Sequence, residues 1–208
     1  MDRTARAWEI LEAAELIHSA AEVDAAIVRV AAEITEVLKD KYPLVLSVMG
    51  GAVVFTGRIL PLLNFPLDFE IVHASRYGSA TSGGPVDWKV EPTGNVADRV
   101  VLVLDDILDI GDTMLAIRAR VLGLGARAFY SAVLTDKRKA SAKPIHADFV
   151  GLSLPDRFVS AAAWTWTAPG AICRRSMRCG RTTGRERAPP ARLASALPWY
   201  YRGRPMSR

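Results

Sequence analysis

The sequence predicts an α/β fold, a mostly parallel twisted sheet flanked by helices. Runs of strand length that are apolar or nearly so, Leu44–Val48 with the single polar Ser47 and Val100–Leu104 with none, read as strands buried on both faces. Stretches with apolar residues at helical spacing alternate with them, as in Val23, Ile27, Val30, Ile34, Val37 and Leu38. Apolar strands separated by helices need a covering layer on each side of one sheet.

The elements follow in order. Residues 5–17, with Trp8, Leu11, Ile17 and several alanines, predict a helix with a modest apolar face. Ser19 followed by Glu22 predicts a capping box that opens a second helix, running to about residue 39. Lys39 and Lys41 suit the negative end of its dipole. Pro43 ends that pattern, and the strand 44–48 runs into Gly50-Gly51. Residues 53–63 predict a helix stopped by Asn64-Phe65-Pro66, and 67–74 a strand. Residues 78–84 are small and polar, the composition of a loop, and 86–90 predict the returning strand. After the strand 100–104 a short loop leads to a helix over 113–122, with Gly123 and Gly125 at its end. Residues 128–134 and 149–152 complete the strands, and no internal repeat is present.

The chain has 208 residues, half of them apolar, enough for one well-buried domain. No apolar run approaches the roughly 18–20 residues of a membrane span, and residues 1–15 lack the apolar core of a signal peptide. A cytoplasmic protein with no membrane partner is the expectation. The net charge of +5 conceals an asymmetry: residues 1–159 hold 17 Lys+Arg and 21 Asp+Glu, whereas 160–208 hold ten Arg and a single acid, Glu186. Cys173 and Cys179 also fall in the last stretch, without the paired spacing of a zinc site.

Val100-Val-Leu-Val-Leu-Asp-Asp-Ile-Leu-Asp-Ile-Gly-Asp-Thr113 carries the chemistry. A buried strand delivers two adjacent carboxylates, Asp105 and Asp106, then a loop with Asp109 and Gly111, then a helix start. In a parallel sheet ligands bind at the carboxyl ends of strands, where this loop must lie. Loop amides and a first helical turn make a phosphate cradle, with the Thr113 hydroxyl as an added donor. Two carboxylates beside it suit ribose hydroxyls and a magnesium ion on the same ligand. The spacing is not that of a P-loop.

The whole string resembles the 5-phosphoribosyl 1-diphosphate (PRPP) signature of type I phosphoribosyltransferases, in their hypoxanthine-guanine form. Other segments resemble that family in the same order. Val48-Met-Gly-Gly-Ala-Val-Val-Phe55 looks like the diphosphate-binding loop, with Gly50 and Gly51 offering backbone amides and a cis peptide expected at Met49–Gly50. Relatives often carry Lys or Arg where this chain has Gly50. Arg76-Tyr77, before the small-residue stretch, resembles the flexible loop that closes over the reaction. Leu134-Thr-Asp-Lys137 resembles the strand end whose lysine recognises a purine 6-oxo group, and in Val150–Val159 Phe158 would stack on the base while the Val159 backbone reads its edge.

The resemblance implies that Asp105 and Asp106 serve the ribose hydroxyls and a Mg2+ cofactor. It makes Asp109 the catalytic group at purine N7, and Ile110, Gly111, Asp112 and Thr113 the 5-phosphate loop. The implied partners are PRPP and a 6-oxopurine (hypoxanthine, guanine or xanthine), with no nucleic acid, in a homodimer or homotetramer. Two other readings stand beside it: an RNA-binding regulator on the same fold, disfavoured by a net acidic body, and a catalytically impaired product of a frameshifted gene.

After Val159 the resemblance stops. A GC-rich back-translation of Ser160 onward, read one base out of frame, gives FGCGMDVDGAWRNLP, a continuation in family style with an Asp and an Arg that this chain lacks. The sequence therefore predicts a phosphoribosyltransferase domain over 1–159 and a basic, disordered tail over 160–208 from an altered reading frame. A chain so altered would bind PRPP yet turn it over slowly.

Overall fold

The first well-defined helix begins where its cap is written. In the computed structural model, which describes residues 4, 5, 8, 14–76, 86–156 and 172–175, α1 (Ala20–Leu38) opens on the Ser19–Glu22 capping box. The Ser19 amide donates to Glu22 Oε2 at 2.7 Å and the Glu22 amide to Ser19 Oγ at 3.3 Å, so two otherwise orphaned donors are satisfied. Val23, Ile27, Val30, Ile34 and Leu38 form its buried stripe, while Val37 faces outward.

The residues ahead of it correct the expectation of one helix over 5–17. Thr4, Ala5 and Trp8 are helical, but Ala14–His18 is a strand, β1. It pairs antiparallel with β8 (Ile172–Arg175). Pairing with 172–175, which local sequence does not reveal, fixes this stretch as extended backbone. The strand 172–175 also means that part of the stretch expected to be an unfolded tail has regular backbone. The rest of 160–208 lies outside the described residues.

Six strands form the main sheet, in the order β4-β3-β2-β5-β6-β7. These are β2 (Leu44–Val48), β3 (Asp68–Arg76), β4 (Val86–Val90), β5 (Val100–Leu108), β6 (Ala128–Lys137) and β7 (Phe149–Leu154). All neighbours run parallel except β3 and β4, a hairpin at the edge. All five residues of β2 are buried, as a strand covered on both faces requires. The two faces have separate cores. Val45, Leu102, Leu104 and Leu134 pack with α1 and α2 (Val53–Ile59). Leu44, Leu46, Val101, Val103 and Val133 pack with α3 (Asp112–Gly123).

Element boundaries and one peptide bond differ from expectation. α2 stops at Ile59 and tightens into a 3-10 turn over Leu60–Leu62, because Pro61 has no amide to continue an α-helical ladder. β5 runs through the acidic pair to Leu108, since β6 keeps pairing it as far as Leu108 opposite Asp136. No peptide bond among the described residues is cis, so Met49–Gly50 is trans, the conformation a non-prolyl bond takes by default. No helix among the described residues is long and apolar enough to cross a membrane.

The crossovers fix where a ligand can sit. β2 leads through α2 to β3 on one side, and β5 leads through α3 to β6 on the other, with α2 and α3 on opposite faces. The strand order therefore reverses between β2 and β5, and a crevice opens beyond their carboxyl ends.

Candidate active site

Pairing between β2 and β5 ends at Ser47 opposite Leu104. Beyond it the chain after β2 enters residues 49–52 while β5 continues, leaving Asp105 and Asp106 without a paired strand on that side. The result is an open cleft of about 350 Å3, lined by residues 105–114 with Val48 and Ala74. It brings together Asp105, Asp106, Asp109, Ile110, Gly111, Asp112 and Thr113, the whole acidic turn singled out from the sequence.

The two carboxylates leave β5 on opposite faces, as consecutive strand residues must. Asp105 Oδ1 accepts from the Asp106 amide at 2.9 Å. Asp106 reaches toward the loop after β2, where a Cβ at Gly51 would overlap its carboxylate. Gly51 is thus glycine because the acid leans on it, whereas Gly50 is exposed with open space around its Cβ position. Asp106 is also tied from behind, its carbonyl accepting from Thr135 Oγ1 at 2.9 Å. Burial, and then the charge of Asp106, raises the Asp105 carboxyl well above the ordinary range; burial likewise raises Asp106. Two such carboxylates want a cation. Magnesium commonly takes one or two carboxylates and completes its shell from substrate phosphates and water. The pair fits that role, and no described cluster of three or more metal-binding side chains exists to hold the ion by itself.

The turn past β5 is shaped by Gly111, which caps α3 at φ +100°, a left-handed conformation that side chains resist. Asp112 and Thr113 form the first turn of α3. That turn has the geometry of an anion cradle, with first-turn amides and the positive end of the helix dipole at the cleft.

Asp109 sits between two ammonium groups that arrive from the end of β6. Lys137 Nζ donates to Asp109 Oδ2 at 2.8 Å, and Lys139 Nζ stands 2.7 Å from Oδ1 as an ion pair off the axis of a straight hydrogen bond. Lys139 also donates to Asp156 at 2.7 Å. Burial alone would raise the Asp109 carboxyl, but Lys137 and then Lys139 outweigh it and hold the group below its ordinary value. Asp109, in turn, holds the Lys139 ammonium above the usual lysine range, helped by Asp156.

Lys137 was expected from its motif; Lys139, Lys143, Asp136 and Asp156 were not. The available hint for Lys139 was its two-residue spacing from Lys137 on extended chain, which returns a side chain to the same side. Arg76 ends β3, and its side chain lies outside the described residues, as do Tyr77, Phe158 and Val159.

Fold and cleft define a class: α/β proteins of the type I phosphoribosyltransferase fold, with the ligand site at the switch point of the sheet. The model of the phosphoribosyl transferase domain matches residues 14–166. The chain is 29% identical over 146 residues to a hypoxanthine-guanine phosphoribosyltransferase of Bacillus subtilis, covering 70% of this chain and 81% of that one. To a hypoxanthine-guanine-xanthine phosphoribosyltransferase of Tritrichomonas foetus it is 32% identical over 132 residues, 62% of this chain and 71% of that one. Among solved structures, a Trypanosoma cruzi hypoxanthine phosphoribosyltransferase in a ternary substrates complex is similar at a TM-score of 0.70 and 27% identity, over 80% of this chain and 97% of that one. The chain belongs to the phosphoribosyl transferase family.

Proposed function

We propose that this protein is a hypoxanthine-guanine phosphoribosyltransferase of purine salvage. It moves the 5-phosphoribosyl group of PRPP to N9 of a 6-oxopurine, giving IMP or GMP and diphosphate. The observation that carries this reading is the Lys137–Asp109 pair at 2.8 Å beside the acidic cleft. In a 6-oxopurine protonated at N7, an acceptor oxygen and a donor N–H lie side by side on one edge. An ammonium and a carboxylate already in contact match that edge, Lys137 donating to the oxo group and Asp109 accepting from N7. Adenine places an amino donor where Lys137 also donates, and is rejected.

The remaining roles are those the family resemblance implies. Residues 110–113 seat the 5-phosphate, Asp105 and Asp106 take the ribose hydroxyls, and amides at Gly50 and Gly51 meet the diphosphate. The N9–C1′ bond forms as the C1′–diphosphate bond breaks with inversion, and Asp109 takes or shares the proton displaced from the base. Asp105 and Asp106 would hold magnesium, which when bound neutralises the leaving diphosphate. Catalysis is otherwise positioning by preorganised groups. Phe158 and Val159 complete the base site in this reading, with Arg76 and Tyr77 on a closing loop. The catalytic domain is residues 1–159, and assembly into a dimer or tetramer is carried by the family resemblance alone.

The purified chain, given PRPP, magnesium and each of hypoxanthine, guanine, xanthine and adenine, should form product from 6-oxopurines and at least about 100-fold less from adenine. Lys137→Met should erase most of that preference. Equal rates with adenine, or a preference indifferent to Lys137, would refute the assignment.

A further inference from the structure

Lys143 is a buried charge with no part in the chemistry above. Its side chain is 6% exposed. Its ammonium donates to the Leu108 carbonyl at 2.6 Å and pairs closely with Asp136. An ammonium this deep needs partners of this kind to stay charged, and the identity of the partners is informative. Leu108 is the last residue of β5, one before Asp109. Asp136 sits between Thr135, which ties the Asp106 carbonyl, and Lys137, which pairs with Asp109. Leu108 and Asp136 are also the last register pair between β5 and β6. Lys143 thus fastens the two strand ends where the sheet's own pairing runs out.

The residues after it reach the same turn independently. Ile145 is buried, and a Cβ placed on Gly111 would stand 3.1 Å from Ile145 Cγ2 and 3.5 Å from Pro144 Cδ. The β6–β7 connection therefore underlies the turn at two points: Lys143 holds the carbonyl where the chain leaves β5, and Ile145 fills the hollow beside the cap of α3.

We propose that Lys143 is a positioning residue, a cross-tie that sets the direction in which the chain leaves β5 and so the place of the 110–113 turn. It touches no substrate and acts through the Leu108 carbonyl. A carbonyl freed at this point can rotate toward water, and small displacements of a binding turn are expensive in affinity.

The inference rests on the reading of 110–113 as the PRPP 5-phosphate site. The test is titration calorimetry of PRPP with magnesium, with steady-state kinetics alongside, on the wild-type chain, on Lys143→Met and on Lys143→Met/Asp136→Asn. The double variant removes both charges and is the arm read if the single variant melts early. The expected result is a PRPP Kd and KM raised about tenfold, with the KM for hypoxanthine and kcat each within about twofold of wild type. Loss of thermal stability alone, with PRPP affinity unchanged, would make Lys143 purely structural and overturn the proposal. So would equal weakening toward PRPP and base. A wild-type chain that fails to bind PRPP sinks the functional reading instead, and the two failures are told apart by that control.

Discussion

Asp105→Asn is expected to raise the thermal midpoint at neutral pH and to cut turnover by about 100-fold or more, the scale of losing one preorganised charged contact. Stability and function oppose each other here because burial, followed by the charge of Asp106, makes ionised Asp105 unfavourable in the folded chain. The sign is fixed by linkage: a carboxyl whose folded value is raised lends stability that is complete below the unfolded value, about pH 4, and disappears as pH climbs through the folded value. Above that range the wild-type chain carries the full penalty, and a neutral amide avoids it. Asn also keeps the Oδ1 acceptor that the Asp106 amide uses at 2.9 Å. Calorimetric scans at acidic and mildly alkaline pH should show the variant's advantage growing as pH rises. A midpoint that falls at neutral pH, or a gap independent of pH, would mean that the acidic pair is not under this strain.

Asp109 behaves in the opposite sense. Burial works against its charge, yet Lys137 and Lys139 together win and keep it ionised. Asp109→Asn should reduce kcat/KM by about 10²–10⁴-fold, the range for losing a positioned proton acceptor. Lys139→Met is the more discriminating change. When a bound base draws the Lys137 ammonium to its oxo group, Lys139 is the cation still against Asp109. Without it, burial pushes the carboxyl up, and the acid limb of the pH profile of kcat, which reports the bound complex, should move to higher pH with the alkaline limb in place. The associated stability runs with depressed acids: present above the unfolded value and lost as pH falls through the folded one. An acid limb that stays put in Lys139→Met would remove Lys139 from this role.

Much of the framework was written locally. The capping box at Ser19–Glu22, the mostly apolar run of β2 and the acidic string after Leu104 are contiguous signals, and each corresponds to a feature of the fold. β1 was misread because short alanine-rich sequence is compatible with a helix until a partner strand, here 172–175, is known. The extension of β5 through Asp105 and Asp106 is likewise decided by β6, which keeps pairing beyond the point where apolar character ends. The site divides in the same way. Residues 105–113 are one peptide and could be seen together. Lys139 and Lys143, by contrast, become meaningful only when the sheet brings the end of β6 beside the end of β5; apart from the two-residue spacing of Lys139 from Lys137, nothing in their own neighbourhood distinguishes them from surface lysines. Gly51 gained its reason only when Asp106 was found against it.

Titration calorimetry of the intact chain with PRPP and with IMP, each with magnesium, tests the central claim most directly. If the turn after β5 seats a phosphorylated ribose with Asp109 toward the base, both ligands bind at one shared site, and prior saturation with either abolishes the heat of the other. No heat from either ligand, or heats from the two that simply add, would contradict the account.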